Sequence, residues 1–350
     1  MHYVQNQSTE KGGDCTPLND NSIVVRYSSA NYLDLCRFSM RDHNKQVQFL
    51  RILESQQGQR IDNFLIRYLK GVPRSRVYRL IRRGEVRINK KRCKPSQKIL
   101  TNDEVRIPPF SGATTTQPVK PGSVMERLLE NSVLFENDEM LVINKPAGIA
   151  VHGGSSIRLG LIEALRQIKP QWSDLELAHR LDRDTSGCLI VSKNSLFLRY
   201  IHNKFKVKSV HKEYLALVHG RWPQGLSEIE APLLKNHLSS KERIVTVRAG
   251  GRSSLTRFEV VRRFKESTLI KALPVSGRKH QIRAHCKHAG HPIVGDRKYG
   301  LKAFNRSFVN IKTLCLHASK IKFLPQGESE FTEVEAPTDK TMAKVISDLN

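Results

Sequence analysis

Residues 60–69 read Arg-Ile-Asp-Asn-Phe-Leu-Ile-Arg-Tyr-Leu, and residues 72–88 read Val-Pro-Arg-Ser-Arg-Val-Tyr-Arg-Leu-Ile-Arg-Arg-Gly-Glu-Val-Arg-Ile. In the first stretch Ile61, Phe64, Leu65, Tyr68 and Leu69 recur at i, i+3, i+4, i+7 and i+8, the stripe of an amphipathic helix. In the second, Pro73 sits near a first turn, Val77, Leu80 and Ile81 form an apolar face, and Gly84 supplies a stop. A second helix is therefore expected after the first. Val86 and Ile88 then alternate with charged neighbours, residues 89–92 can turn, and residues 105–107 read as a returning strand. The predicted unit is two helices with a short antiparallel sheet.

Residues 60–107 hold fifteen Lys or Arg against four Asp or Glu, so this block carries +11 of the chain's net charge of +26. That balance implies a polyanionic partner, most naturally a nucleic acid, with an anionic membrane surface as the duller alternative. Arg74, Arg76, Arg79, Arg82 and Arg83 fall in one helical stretch with no acidic residue before Glu85. A run of charge is ordinarily a solvated helix face. Here no acids are available to pair with it, which favours a phosphate-binding face, and Lys90, Lys91 and Arg92 add to it from the following turn.

The 350 residues exceed one ordinary domain and suggest two. Residues 1–46 show no sustained period and read as a flexible tail, and residues 47–107 form the basic unit. Residues 108–124, with Pro108, Pro109, Pro118, Pro121, Gly112 and Gly122, read as a linker. Residues 125–345 alternate short apolar strands (133–135, 141–143, 188–191, 214–218, 256–261, 269–272 and 314–316) with helical stretches at 162–168 and 280–289. An α+β domain around a mainly antiparallel mixed sheet is expected. No apolar run is long enough to span a bilayer. Six cysteines without a C-x-x-C pair, and no apolar leader, point to reduced thiols and a cytoplasmic address.

The densest polar constellation is His179-Arg180-Leu181-Asp182-Arg183-Asp184-Thr185-Ser186-Gly187, which reads as a loop held by the apolar strand that follows it. Two carboxylates and two guanidiniums so close together suit either an ion-paired turn or a reactive site. Downstream, His280, His285, Cys286, His288 and His291 crowd together and invite a zinc reading. Their spacing fits no usual signature, however, and the interleaved Arg278, Lys279, Arg283 and Lys287 would repel a cation.

Residues 58–107 resemble an S4 domain, a small RNA-binding module. The 179–187 loop, Lys212-Glu213-Tyr214-Leu215-Ala216-Leu217-Val218, and Ser276-Gly277-Arg278-Lys279-His280-Gln281-Ile282-Arg283-Ala284-His285 together resemble the three catalytic-domain motifs of the RluA family of pseudouridine synthases, and residues 291–296 and 299–300 extend the last. The resemblance implies an isomerase of specific uridines in 23S, large-subunit, ribosomal RNA, needing no nicotinamide or metal. It assigns Asp182 as the ionised carboxylate beside the anomeric carbon, with Asp184 at a position the family leaves variable. Arg283 becomes the guanidinium paired with that aspartate, and Tyr214 the ring that stacks on the target base. Arg180 becomes the side chain that fills the gap left by a flipped nucleotide, although a pairing with Asp184 would suit it equally. Ser276 and Lys279 each replace a threonine of the motif. A monomer acting on rRNA, without a membrane partner, is expected; the alternative is a non-catalytic RNA-binding ribosome-assembly factor that has kept the fold.

Overall fold

A computed structural model describes residues 46–349 apart from 70–71, 111–120, 154–158, 173–174, 238–242, 301–310 and 312. The tail expected over residues 1–46, its last residue aside, and most of the expected linker lie outside the described residues. The chain divides between Gln117 and Pro118 into two units.

In the first unit, β1 (Gln48–Arg51) leads to α1 (Ile61–Tyr68) and α2 (Arg74–Arg83), followed by β2 (Arg87–Ile88), β3 (Lys91–Arg92) and β4 (Glu104–Ile107). The sheet order is β1-β4-β2-β3, antiparallel throughout. Ile61, Phe64, Leu65 and Leu69 of the first stripe and Val77, Leu80 and Ile81 of the second are buried with Val86, Ile88, Val105 and Ile107 in one apolar core. Tyr68 stays at the rim, where its hydroxyl meets Gln48 Oε1 at 2.9 Å. Gly84 ends α2 in the left-handed region at φ 72°, a conformation that favours glycine. Asp62 fixes the two helices to each other. It is buried, accepts from Arg60 at 2.6 and 3.1 Å, and accepts from the Tyr78 hydroxyl of α2 at 3.0 Å. Burial works against its charge, but Arg60, Tyr78 and the Asn63 amide outweigh it and hold the carboxyl below its ordinary range.

The second unit is a ten-stranded mixed sheet with helices packed on it. Its elements are α3 (Ser123–Glu130), β5 (Val133–Glu136), β6 (Met140–Lys145), α4 (Leu161–Ile168), β7 (Glu176–Leu177), β8 (Ser186–Ser192), α5 (Ser195–Lys206), β9 (His211–His219), β10 (Glu228–Glu230), β11 (Leu233–His237), β12 (Arg243–Val247), β13 (Leu255–Arg263), β14 (Ser267–Pro274), α6 (Gln281–His288), β15 (Leu316–Phe323), β16 (Thr332–Glu335) and α7 (Lys340–Ser347). The main path runs β10-β13-β14-β9-β15-β8-β6-β5, with β16 on β15 and β7 on β8, while β11 and β12 form a separate hairpin. Every named pairing is antiparallel except β8 with β15. The sheet is covered on both faces: Leu141, Ile143, Leu189 and Val191 enter one apolar cluster with α4, and Met140, Val142, Cys188 and Ile190 enter another with α5. That period of two on doubly buried strands explains why β6 and β8 read as continuous apolar runs. Among the described residues no helix is long and apolar enough to cross a membrane.

Two expectations need correction. The apolar run at 314–316 touches its strand only at Leu316, because β15 continues through alternating polar residues to Phe323. The helix expected from residue 280 starts at Gln281, and His280 precedes it in a left-handed conformation.

Candidate active site

Asp182 lies in the loop between β7 and β8, and the fold holds that loop from several sides. Leu181 is buried in the cluster beneath it. His179 Nε2 accepts the Ile190 amide hydrogen at 2.9 Å, and burial drives the pKa of this histidine down to about 3, so the ring is a neutral strut. Lys145, at the end of β6 and fully buried, places its Nζ 2.7, 2.9 and 3.0 Å from the carbonyls of Pro146, Ile149 and Arg183. Burial pulls this ammonium down to about 7 against the opposing charges of Asp184 and Asp182. The Gly148 amide and the Arg183 carbonyl join the same two loops at 2.9 Å. Gly187 then enters β8 at φ 106°, where any Cβ would collide with the Ala318 carbonyl of the parallel neighbour β15. The backbone that carries Asp182 is therefore fixed before any substrate arrives.

Arg283 reaches this loop from α6. Its Nη1 is 3.3 Å from Asp182 Oδ2, while Nε and Nη2 grip the two oxygens of Asp296 at 2.7 and 2.8 Å. The guanidinium is 5% exposed, the Asp296 carboxylate 0% and Asp182 17%. One buried cation thus serves two carboxylates: Asp296 holds it bidentately, and Asp182 meets its remaining edge at the opening. Burial opposes the charge on Asp296, but Arg283 and the amides of Tyr299 and Lys298 hold its carboxyl below the ordinary range. Gly295, at φ 78°, would drive a Cβ into the Thr313 carbonyl and so must be glycine for Asp296 to arrive where it does. Tyr299 stacks under the guanidinium at 5.0 Å.

Tyr214 stands on the central strand β9 and packs against two apolar clusters. Burial, then the charge of Asp182, pushes its phenol above the ordinary value, so at neutral pH it offers a protonated aromatic face rather than a phenolate. Arg180 and Asp184 are both exposed, and no ion pair joins them among the described residues. Nor is the loop an ion-paired turn: Arg183 spends its Nε on the Gly148 carbonyl, and Asp182 pairs outside the loop.

Of the sequence-derived residues, the structure brings Asp182, Arg283 and Tyr214 together, with Arg180 exposed two residues from Asp182. Asp296 and Tyr299 were visible only as the end of a motif, and Lys145 not at all. A lysine closing the apolar run Met140–Ile143 just before Pro146 was the available signal. Ser276 keeps the work of a hydroxyl, donating to Gln281 Oε1 at 2.7 Å and accepting from the Leu255 amide at 3.3 Å. The histidine cluster disperses. His285 is engaged by Thr256 and Ser254 at 3.0 and 3.1 Å, His291 Nδ1 sits 2.8 Å from the His219 carbonyl, and burial pushes the Cys286 thiol up. In the first unit Arg74, Arg79, Arg82, Arg83, Lys90, Lys91 and Arg92 are exposed and Arg76 is half-buried. A tight turn with Asn89 and Lys90 at φ 49° and 66° presents the last three cations.

A model of the RNA pseudouridylate synthase family matches residues 139–288, and an S4 domain model matches residues 59–105. A ribosomal large subunit pseudouridine synthase C of Haemophilus influenzae is 48% identical over 309 residues, covering 87% of this chain and 96% of the relative. The protein of that name in Escherichia coli K12 is 46% identical over 315 residues, covering 89% and 99%. Among solved structures, human RNA pseudouridylate synthase domain containing 4 superposes with a TM-score of 0.54 at 21% identity, over 65% of this chain and 95% of that one, a likeness of fold.

Proposed function

The chain belongs to the family of RNA pseudouridylate synthases, and from that premise we propose that it isomerises particular uridines of large-subunit (23S) ribosomal RNA to pseudouridine, with Asp182 as the acting carboxylate and no cofactor. The observation that carries this reading is a partly exposed carboxylate on a rigid loop, set against a buried guanidinium and beside a half-buried tyrosine. In the reaction the N1–C1′ bond of uridine breaks, a C5–C1′ bond forms, and the C5 proton is exchanged for one on N1. Atoms and electrons balance without an oxidant. An ionised carboxylate facing the anomeric centre is what such a step needs, and a neighbouring cation favours the ionised form. Tyr214 supplies the face against which the turned-out uracil stacks, and Arg180, exposed beside the carboxylate, occupies the space that the base leaves. The enzyme acts as a cytoplasmic monomer.

Mapping pseudouridines by mass spectrometry in rRNA from cells lacking the gene tests this. A discrete set of large-subunit pseudouridines should disappear and return with the wild-type gene. An unchanged map, or release of free uracil by the purified protein, would contradict it.

The basic S4 unit provides sequence-independent affinity for the RNA backbone. If Arg74, Arg79 and Arg82 each neutralise one phosphate, changing all three to Gln should flatten the slope of log affinity against log salt by about 2, from roughly 0.7 per phosphate on single strands. The modified positions should not change. An unaltered slope would return these arginines to the role of a solvated helix face.

A further inference from the structure

His280 caps α6 at φ 54° and ψ 23°, in the left-handed region. A non-glycine residue held there is uncommon and costs conformational energy, although histidine visits the region more readily than most. Its side chain gives nothing back to the helix, since it accepts no capping hydrogen bond. The ring instead points at the catalytic loop: Nδ1 lies 2.8 Å from the Tyr299 hydroxyl, and Nε2 lies 3.6 Å from Asp182 Oδ2.

The proton positions along this line follow from valence. The Val245 amide donates to the Tyr299 oxygen at 2.9 Å, and an amide N–H can do nothing else. The phenol keeps its own proton, since burial pushes it up to about 12. That proton is directed to the other polar atom beside it, His280 Nδ1. Burial drives His280 down to about 4 although Asp182 pulls it upward, so the ring carries one proton, and with Nδ1 accepting, that proton is on Nε2. The opposite tautomer would aim a lone pair at a carboxylate.

We propose that His280 is a positioning residue for Asp182: the Val245 amide and the Tyr299 hydroxyl orient the imidazole with its Nε2–H toward Oδ2, and this N–H together with Arg283 Nη1 holds that oxygen so that Oδ1 faces the reacting nucleotide. The nearest approach of each group to the carboxylate is to Oδ2. At 3.6 Å the histidine contact is longer than a formed hydrogen bond, a looseness common in catalytic groups before substrate closes the site. The proposal rests on Asp182 being the acting carboxylate.

Two measurements on the full chain test it. Heteronuclear NMR of the imidazole nitrogens should find His280 as the Nε2–H tautomer in the wild type, with that preference weakened in Tyr299→Phe. Steady-state kinetics on an rRNA fragment should separate kcat from KM. His280→Asn tolerates the left-handed backbone but is too short to reach Oδ2, and it should lower kcat on the order of 100-fold with KM nearly unchanged. His280→Gln, whose amide can reach that oxygen, should recover part of the loss, and Tyr299→Phe should fall between. An Nδ1–H tautomer in the wild type, a His280→Asn variant with wild-type kcat, or a loss that Gln does not rescue would each overturn the proposal. If His280→Asn fails to fold, the wild-type tautomer and the Tyr299→Phe kinetics decide. Asp182→Asn, run alongside, separates the two readings: its retained activity would sink the underlying site assignment, whereas its inactivity beside an unaffected His280→Asn would sink only this proposal.

Discussion

Asp182→Asn is expected to lower pseudouridine formation on the order of 10⁴-fold or more, the scale seen when a group in contact with the reacting atoms is removed. RNA affinity should stay within a few-fold, because phosphate contacts come from cations and not from this carboxylate. Stability should change little. The side chain lies at the mouth of the site, its one guanidinium contact is 3.3 Å long, and Arg283 keeps its bidentate grip on Asp296 when that contact goes. Asp184→Asn is the matched control. It alters the other carboxylate of the same loop, which is exposed and has no ion pair among the described residues, and it should keep most of the activity. Single-turnover assays of both variants on one RNA check the assignment: a dead Asp184→Asn beside a live Asp182→Asn would transfer the role.

The parts of this fold that were legible in the sequence are those where one face of one element decides burial. The stripes of α1 and α2 are local patterns, and their residues, Tyr68 at the rim excepted, entered the core as the 3.6-residue period required. Helix α5 carries a comparable local signal. Asn194 accepts the Phe197 amide as a cap at 2.8 Å, and Phe197, Ile201 and Phe205 follow at intervals of four. Strand β15 was harder. Lys320 and Lys322 interrupt its apolar pattern and are accommodated by Glu333 and Glu335 on β16, which no local window contains. The site followed the same division. Its three motifs could be read by resemblance, but the chain order says nothing about which carboxylate holds Arg283. The reading from sequence gave that arginine a single partner, Asp182, whereas its shorter bonds go to Asp296, thirteen positions away around a turn that Gly295 makes possible. The relay from Val245 through Tyr299 to His280 joins three separate segments, and only the packed structure makes them neighbours.

The second large effect concerns that pair. Arg283→Met should cost about 3–5 kcal/mol of stability, because it removes the cation that neutralises the fully buried Asp296 carboxylate. Asp296→Asn should cost less, about 1–3 kcal/mol. Its remaining oxygen can still accept from Arg283 Nη2 and from the amides of Lys298 and Tyr299, while the contact with Nε becomes donor against donor. Arg283→Lys keeps a charge but has no fork with which to serve two carboxylates, so it should lose most activity even under conditions where it remains folded. The pH dependence has a definite sign. Because the folded pKa of Asp296 lies below its ordinary value, the stabilisation from the pair is fully present above about pH 4, near the unfolded Asp pKa, and is lost as pH falls through the lower folded value. The stability gap between the wild type and Asp296→Asn should therefore be constant from neutral pH down to that point and shrink in stronger acid. Urea denaturation of wild type, Arg283→Met and Asp296→Asn across this range measures it. A gap that narrowed already between pH 7 and 5 would mean that a histidine rather than this carboxylate governs the difference, and an Arg283→Met variant as stable as the wild type would mean that Asp296 is satisfied without the guanidinium.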